Sequence, residues 1–114
     1  MHALDTARLL AQNIRETEEY KEYTAAKEAI GGDEGIKALI REYKKLQMTV
    51  QMGAVTGHPA GESDTQRFQA LCTLLFADSR TNGYLMSEMR LQQLMAEIFG
   101  ILTNAAGIDL EMPV

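Results

Sequence analysis

The amino-acid sequence predicts an all-α fold, a five-helix antiparallel bundle with two long helices that dimerises. Helix-favouring residues dominate the 114-residue chain. Proline occurs only at positions 59 and 113, so nothing interrupts the long segments on either side of residue 59. No segment shows the apolar–polar alternation that is typical of a strand. Residues 1–114 are therefore predicted to form a single all-helical domain.

The first three helices are predicted from their capping residues. The first follows Asp5 and ends near Glu16. Thr17 can cap the second, which stops at the glycine pair that begins with Gly31. Asp33 can cap the long third helix, in which apolar residues recur at spacings of three and four. These residues are Ile36, Leu39, Tyr43, Leu46 and Val50.

A glycine-rich turn is predicted between the third helix and the fourth. Residues 53–62 hold three glycines and Pro59, a composition typical of turns. Ser63 and Gln66 then have the spacing of a capping box, in which each side chain accepts from or donates to the backbone of the other. The fourth helix is therefore predicted to begin at this box.

The composition of the fifth helix predicts self-association. The helix is expected to follow a short break at residues 80–83, with Thr81 or Asn82 as its cap, and to be closed by Gly107. Its apolar residues cover more than one face, which indicates burial on several sides. The candidate interface of a homodimer or higher oligomer consists of Leu91, Leu94, Met95, Ile98, Ile101 and Leu102. The alternative is a central helix wrapped by its own four neighbours.

Composition and charge exclude several classes of function. A single Cys rules out a disulfide scaffold and any multi-Cys metal site built from this chain alone. The net charge of −5 argues against non-specific nucleic-acid binding. The absence of Trp disfavours platforms on which bases stack. Because no signal peptide or membrane-spanning run is evident, a cytoplasmic protein without a membrane partner is expected.

The residues that could carry chemistry are scattered along the sequence. Cys72 lies among apolar residues and is interpreted as a buried small hydrophobe. His2 and His58 are far apart and are interpreted as solvated. The glycine-rich segment 31–35 lacks the Lys-Ser/Thr of a phosphate-binding loop and is interpreted as a helix stop followed by a cap. The sequence therefore predicts no catalytic, metal-binding or cofactor-binding residue and a protein that is not an enzyme.

A basic strip on the third helix is the candidate docking site for an acidic partner. It consists of Lys37, Arg41, Lys44 and Lys45. The alternative is an ordinary solvated face. Glu88 lies on the apolar stripe of the fifth helix, and its expected partner is Arg90 or a Lys elsewhere; the alternative is a polar contact within an interface.

Two blocks of residues support a family resemblance over nearly the whole chain. The first block contains Leu9–Ile14, Glu19-Tyr20-x-x-Tyr23, Ala26, Asp33, Leu39-Ile40-x-x-Tyr43, Gln47 and Gln51. The second contains Asn82-x-Tyr84-Leu85-x-x-Glu88-x-x-Leu91-x-x-Leu94, Ile98 and Gly107-Ile108-Asp109-Leu110. In order and spacing these blocks resemble the YlbF/YmcA family of small bacterial regulators, and within it the YheA-like branch.

The resemblance implies a self-associating, all-helical, cytoplasmic protein without enzymatic activity of its own. The best-known members bind one another and further partners, influence competence, biofilm formation and sporulation, and are linked to messenger-RNA processing through ribonuclease Y. Some members have C-terminal cysteines associated with an iron–sulfur cluster. The tail Ile108–Val114 has no Cys, so the iron–sulfur cluster is not carried over to this chain.

The predicted function is therefore a non-catalytic helical regulator or adaptor that acts through protein–protein contacts, and the resemblance links it to bacterial RNA processing, competence, biofilm or sporulation control. The alternative is a small RNA-associated binding module, in which the basic side of helix three contacts phosphate groups.

Overall fold

The computed structural model describes residues 2–107, and nearly all of them lie in five α-helices. The helices are α1 (His2–Arg15), α2 (Glu18–Ile30), α3 (Glu34–Thr56), α4 (Glu62–Ala77) and α5 (Ser79–Ala106). These residues contain no strand, so the predicted all-α fold with two long helices is confirmed. The predictions for the tail, residues 108–114, lie outside the described residues.

Helix α2 lies antiparallel along the first half of α5. In the first turns of α2, the Glu22 carboxylate lies 3.1 Å from the Arg90 guanidinium. Just beyond the end of α2, the Asp33 carboxylate lies 3.7 Å from the Arg80 guanidinium. Because the partner moves toward the start of α5 as α2 advances, the two helices run in opposite directions.

Helices α3 and α4 form a second antiparallel pair, joined by the turn at residues 57–61. The Arg67 guanidinium of α4 donates two hydrogen bonds of 2.8 Å to the Glu42 carboxylate of α3. The aromatic rings of Tyr43 and Phe68 stack beneath this pair, with centroids 5.4 Å apart. The two helices are thus held by both a bidentate ion pair and an aromatic contact.

The hydrophobic core lies where these two helix pairs meet. Its buried apolar residues are Ile30, Ile40, Tyr43, Leu71, Leu75, Tyr84 and Leu85. They come from the end of α2, the first half of α3, the second half of α4 and the first two turns of α5. No residue of α5 beyond Ser87 is buried, so the second half of the longest helix lies outside the core.

The chain is elongated, with a radius of gyration of 17.4 Å and extents of 51 × 37 × 17 Å. A compact chain of about this length has a radius of gyration of about 13 Å. The smallest extent is less than twice the diameter of a helix with its side chains, which is about 10–12 Å. The first helix packs mainly on α2 and has no buried residue, which leaves its apolar side open.

Three predicted caps are confirmed. The Thr17 hydroxyl accepts a hydrogen bond of 3.2 Å from the backbone amide of Tyr20. The Asp33 carboxylate accepts one of 3.0 Å from the amide of Ile36. Gly107 ends α5 in the left-handed conformation, with φ of 66°, which glycine adopts without the steric cost of a Cβ.

The predicted start of α4 is wrong. The helix begins at Glu62 with Gly61 at the N-cap position, and no side chain caps it. The capping box of Ser63 and Gln66 does not form, because the Gln66 amide donates instead to the Glu62 carboxylate at 3.3 Å. Gly61 itself is extended, and the helix begins at Glu62, directly after it.

The predicted start of α5 is also wrong, because the chain does not break at residues 80–83. Asp78 is the cap, and its carboxylate accepts a hydrogen bond of 2.8 Å from the backbone amide of Arg80. This bond lowers the pKa of Asp78. The Thr81 hydroxyl is buried and donates to the carbonyl of Leu75, so it ties α5 to the end of α4 rather than capping it.

Gly53 lies in α3 against the turn that follows the helix. A Cβ at this position would lie 2.7 Å from the carbonyl oxygen of His58 and 3.0 Å from the backbone nitrogen of Ala60. Because backbone must move to accommodate it, Gly53→Ala is expected to lower the free energy of unfolding by about 1–3 kcal/mol. Urea denaturation of the wild type and the variant measures this loss.

Gly83→Ala is the matched control for this prediction. Gly83 lies inside α5, and no atom lies within 4 Å of the position of its Cβ. The same substitution is therefore expected to raise the free energy of unfolding by about 0.5–1 kcal/mol through helix propensity. Equal stabilisation by both substitutions would contradict the close approach at Gly53.

Candidate functional site

The second half of α5 presents a broad apolar stripe, which we call the α5 stripe. It contains Leu91, Leu94, Met95, Ile98, Phe99, Ile101 and Leu102. At 3.6 residues per turn, these seven residues lie within about 160° of the helix circumference. The stripe includes all six residues of the candidate interface together with Phe99.

Burial divides the α5 stripe into inner and outer residues. Leu91, Leu94 and Ile98 are half-buried, and Leu94 lines a shallow cavity with Glu19 from the start of α2. Met95 and Ile101 are 44% and 69% exposed. The inner residues therefore pack partly within the chain, whereas the outer residues present their apolar side chains to solvent.

Two further apolar surfaces are exposed in the same chain. Met48, Met52 and Val55 follow one another at helical spacing along the second half of α3, and each is at least 50% exposed. We call these three residues the α3 stripe. Leu4 and Leu9 of α1 are each 55% exposed. Large exposed apolar surfaces on a folded chain indicate sites of protein association.

A pocket of about 230 Å³ lies between the end of α2, the first half of α3 and the start of α5. We call it the basic pocket. Its lining residues are Lys27, Ile30, Gly31, Lys37, Ile40, Arg41, Lys44 and Tyr84. Three of these, Ile30, Ile40 and Tyr84, belong to the hydrophobic core, so the pocket has an apolar floor and cationic side chains around it.

The predicted basic strip is divided by the fold. Lys37, Arg41 and Lys44 line the basic pocket, whereas Lys45 lines a separate cavity between α3 and α4. Lys27 joins the pocket from α2. Reasoning from the third helix alone misses Lys27, because only the tertiary packing of α2 brings it there.

Lys44 of the basic pocket belongs to a hydrogen-bonded group with α5. Its ammonium lies 2.6 Å from the Glu88 carboxylate and 3.3 Å from the Tyr84 hydroxyl. The Tyr84 hydroxyl donates to the same carboxylate at 3.1 Å. Burial, followed by contacts with Tyr23 and Glu88, raises the pKa of Tyr84, so the phenol stays protonated at neutral pH. The predicted pairing of Glu88 with a Lys elsewhere is confirmed.

The other cations of the pocket differ in whether a carboxylate lies close to them. The Lys37 ammonium lies 3.2 Å from the Glu34 carboxylate and donates to the carbonyl of Gly31. Within residues 2–107, neither Lys27 nor Arg41 has a carboxylate within 4 Å. The ammonium of Lys27 lies 5.9 Å from the centre of the Tyr23 ring. Two of the four cations are thus free to attract an anion.

The residues that could act as nucleophiles or metal ligands do not form a cluster within the described part of the chain. Cys72 is half-buried against the core, and burial raises the pKa of its thiol, which keeps the sulfur in its poorly nucleophilic form. Between His2 and Gly107, no three His, Cys, Asp or Glu side chains are grouped to hold a metal ion. No helix in that range has the length and apolar character needed to cross a membrane.

The sequence as a whole matches a known family. The family described as "Control of competence regulator ComK, YlbF/YmcA" matches residues 3–105 of the chain. The chain belongs to the YlbF/YmcA family. This confirms the resemblance drawn from the two residue blocks.

Relatives within the YlbF/YmcA family align over nearly their full length. A UPF0342 protein of Symbiobacterium thermophilum is 31% identical over 106 residues, which cover 93% of this chain and 95% of that protein. A UPF0342 protein of Caldicellulosiruptor saccharolyticus is 32% identical over 108 residues, which cover 95% of this chain and 90% of that protein.

A solved structure shares the fold. It is described as a protein of unknown function (DUF964) from Bacillus stearothermophilus. The two structures superpose with a TM-score of 0.69 at 21% identity, over 93% of this chain and 91% of the other. The overall fold of this chain is therefore shared with a solved protein.

Proposed function

We propose that this protein is a non-catalytic regulator or adaptor that acts in the cytoplasm through protein–protein contacts and works as a homodimer or higher oligomer. The observation that supports this most strongly is the α5 stripe, whose outer residues are exposed along the longest helix. The family description supports a regulatory role. The processes that the family resemblance suggests are competence, biofilm formation, sporulation and messenger-RNA processing.

A second copy of this chain is the occupant that best fits the α5 stripe. The elongated shape leaves the second half of α5 and all of α1 outside the core. A stripe paired with its own copy about a two-fold axis would bury the outer residues of both chains at once. The α3 stripe is a further surface of the same character.

The expected free energies indicate that burial of the α5 stripe alone would not give tight association. A fully buried large apolar side chain contributes about 1.5–3 kcal/mol, and the outer residues of the stripe are only about half exposed to begin with. Association itself costs about 4–15 kcal/mol. The gain from one stripe on each copy is of the same order as this cost, so tight association requires contributions from α1 or the α3 stripe as well.

Co-purification from the native host tests the adaptor function. The tagged protein is recovered at moderate salt, and the bound material is identified by mass spectrometry and by nucleic-acid staining. We expect another protein at near-stoichiometric amount. Recovery of RNA that survives moderate salt, without a protein partner, would favour the RNA-associated module instead. Recovery of the chain without any bound macromolecule would contradict both functions.

A further inference from the structure

The basic pocket carries several positive charges, although the protein as a whole is negatively charged. The chain has a net charge of −5, yet four cationic side chains surround one pocket. Two of them, Lys37 and Lys44, are paired with Glu34 and Glu88. Arg41 and Lys27 have no carboxylate partner among residues 2–107, and both are exposed. Such a pocket attracts an anionic group.

The apolar floor and the size of the pocket restrict what it can hold. Ile30 and Ile40 are buried core residues that line its floor. The volume of about 230 Å³ is below the range of about 300–1,000 Å³ that is typical of small-molecule sites. A cavity of about 150 Å³ accommodates benzene. The pocket is therefore the right size for a single large apolar side chain.

We propose that the basic pocket binds an acidic segment of a partner protein, which inserts one Leu or Phe side chain and places carboxylates on Arg41 and Lys27. This proposal rests on the proposed adaptor function and specifies the chemistry of the partner. The guanidinium of Arg41 can hold a carboxylate through two parallel hydrogen bonds. The apolar side chain supplies the buried anchor that protein interfaces require.

The pocket favours an acidic peptide over RNA. The aromatic ring that lines it belongs to Tyr84, which is only 8% exposed. This ring also contacts Tyr23 and the ammonium of Lys44. It therefore offers no open face on which a base could stack. An apolar floor is likewise a poor match for a phosphate backbone.

Three labelled peptides of twelve residues test this proposal. Each has a central Leu, Phe or Ala flanked on both sides by glutamates, and binding to the full-length protein is measured by fluorescence anisotropy. We expect the Leu or Phe peptide to bind and the Ala peptide to bind about fivefold or more weakly, because the anchor is lost. The methyl NMR signals of Ile30 and Ile40 are expected to shift on addition of the binding peptide.

Arg41→Glu and Lys45→Glu form a matched pair of variants. Both change the charge by the same amount on exposed positions of α3, but only Arg41 lines the basic pocket. We expect Arg41→Glu to weaken binding of the Leu or Phe peptide about tenfold or more and Lys45→Glu to change it less than threefold. Circular dichroism verifies that both variants are folded.

Several outcomes would overturn the proposal. The first two are an Ala peptide that binds as tightly as the Leu and Phe peptides, and equal effects of the two variants on peptide binding. The third is that no peptide binds at millimolar concentration. The fourth is a single-stranded RNA oligonucleotide that binds more tightly than the peptides and loses this binding in Arg41→Glu. Loss of self-association in Arg41→Glu would also overturn it, because the pocket would then hold a second copy of this chain. None of these outcomes alters the co-purification result, so failure of the pocket and failure of the adaptor function are distinguishable.

Discussion

Replacing Ile101 by glutamate is expected to abolish the proposed self-association and to leave a folded monomer. Ile101 is the most exposed large apolar residue of the α5 stripe, at 69%, so the single chain loses little packing. In an apolar interface, however, an unpaired carboxylate costs several kcal/mol, enough to lower the association constant by a factor of about 100 or more. Sedimentation velocity at high micromolar concentration, with circular dichroism for helix content, measures both effects.

Asn104→Glu is the control for the glutamate substitution at Ile101. Asn104 is an exposed residue of the last turns of the same helix and lies outside the α5 stripe. It introduces the same charge near the end of the helix, where the macrodipole makes an acid slightly unfavourable. We expect this variant to remain self-associated. A wild-type protein that stays monomeric at high micromolar concentration, or an Ile101→Glu variant that unfolds, would contradict the proposed interface.

A charged residue at Leu94 is expected to behave differently. Leu94 is half-buried and lines a cavity with Glu19 from α2. Glutamate at this position would lose apolar packing within the chain and add a charge to a cavity that Glu19, Arg90 and Glu97 already line. We therefore expect a lower thermal midpoint in addition to any loss of self-association, which separates the inner residues of the α5 stripe from its outer ones.

Replacing Leu71 by alanine is expected to give the largest loss of stability among simple truncations. Leu71 is fully buried in α4, at the centre of the core. Removal of its side chain leaves a cavity and is expected to lower the free energy of unfolding by about 2–5 kcal/mol. For a domain of this size the thermal midpoint falls by on the order of 4 °C for each kcal/mol.

Leu74→Ala is the matched truncation in the same helix. Leu74 is 54% exposed, so the same atoms are removed from a side chain that is largely in solvent. We expect a loss below about 1 kcal/mol. Both variants are compared at one chain concentration, because self-association adds to apparent stability by mass action. Comparable losses from the two truncations would contradict the position of the core.

Local signals determined much of the secondary structure. The caps at Thr17 and Asp33 were correctly predicted, because a cap depends on a side chain and a backbone amide three residues away. The starts of α4 and α5 were not. The Thr81 hydroxyl could cap a helix, but it donates to the carbonyl of Leu75 in the preceding helix. The packing of α4 against α5, rather than the local sequence, determines this partner.

The excess of apolar residues in the fifth helix was predictable from the sequence, but the boundary between its buried first part and its more exposed second part was not. The sequence alone shows that α5 has more apolar residues than one face requires. It does not show that the core is built on Tyr84 and Leu85 and that no residue beyond Ser87 is buried. That division depends on where α2 and α4 contact α5, which is a property of the whole arrangement of helices.

By itself, the sequence determined the all-α class, the number of helices and the family, because these follow from residue composition, local capping and the order of spaced residues. Only the tertiary structure decided which cations share a pocket. Lys27 and Arg41 are 14 positions apart and lie on different helices. Both line the basic pocket, which lies where the end of α2, the first half of α3 and the start of α5 come together. The way α2 packs against α5 sets this arrangement, and no local periodicity encodes it.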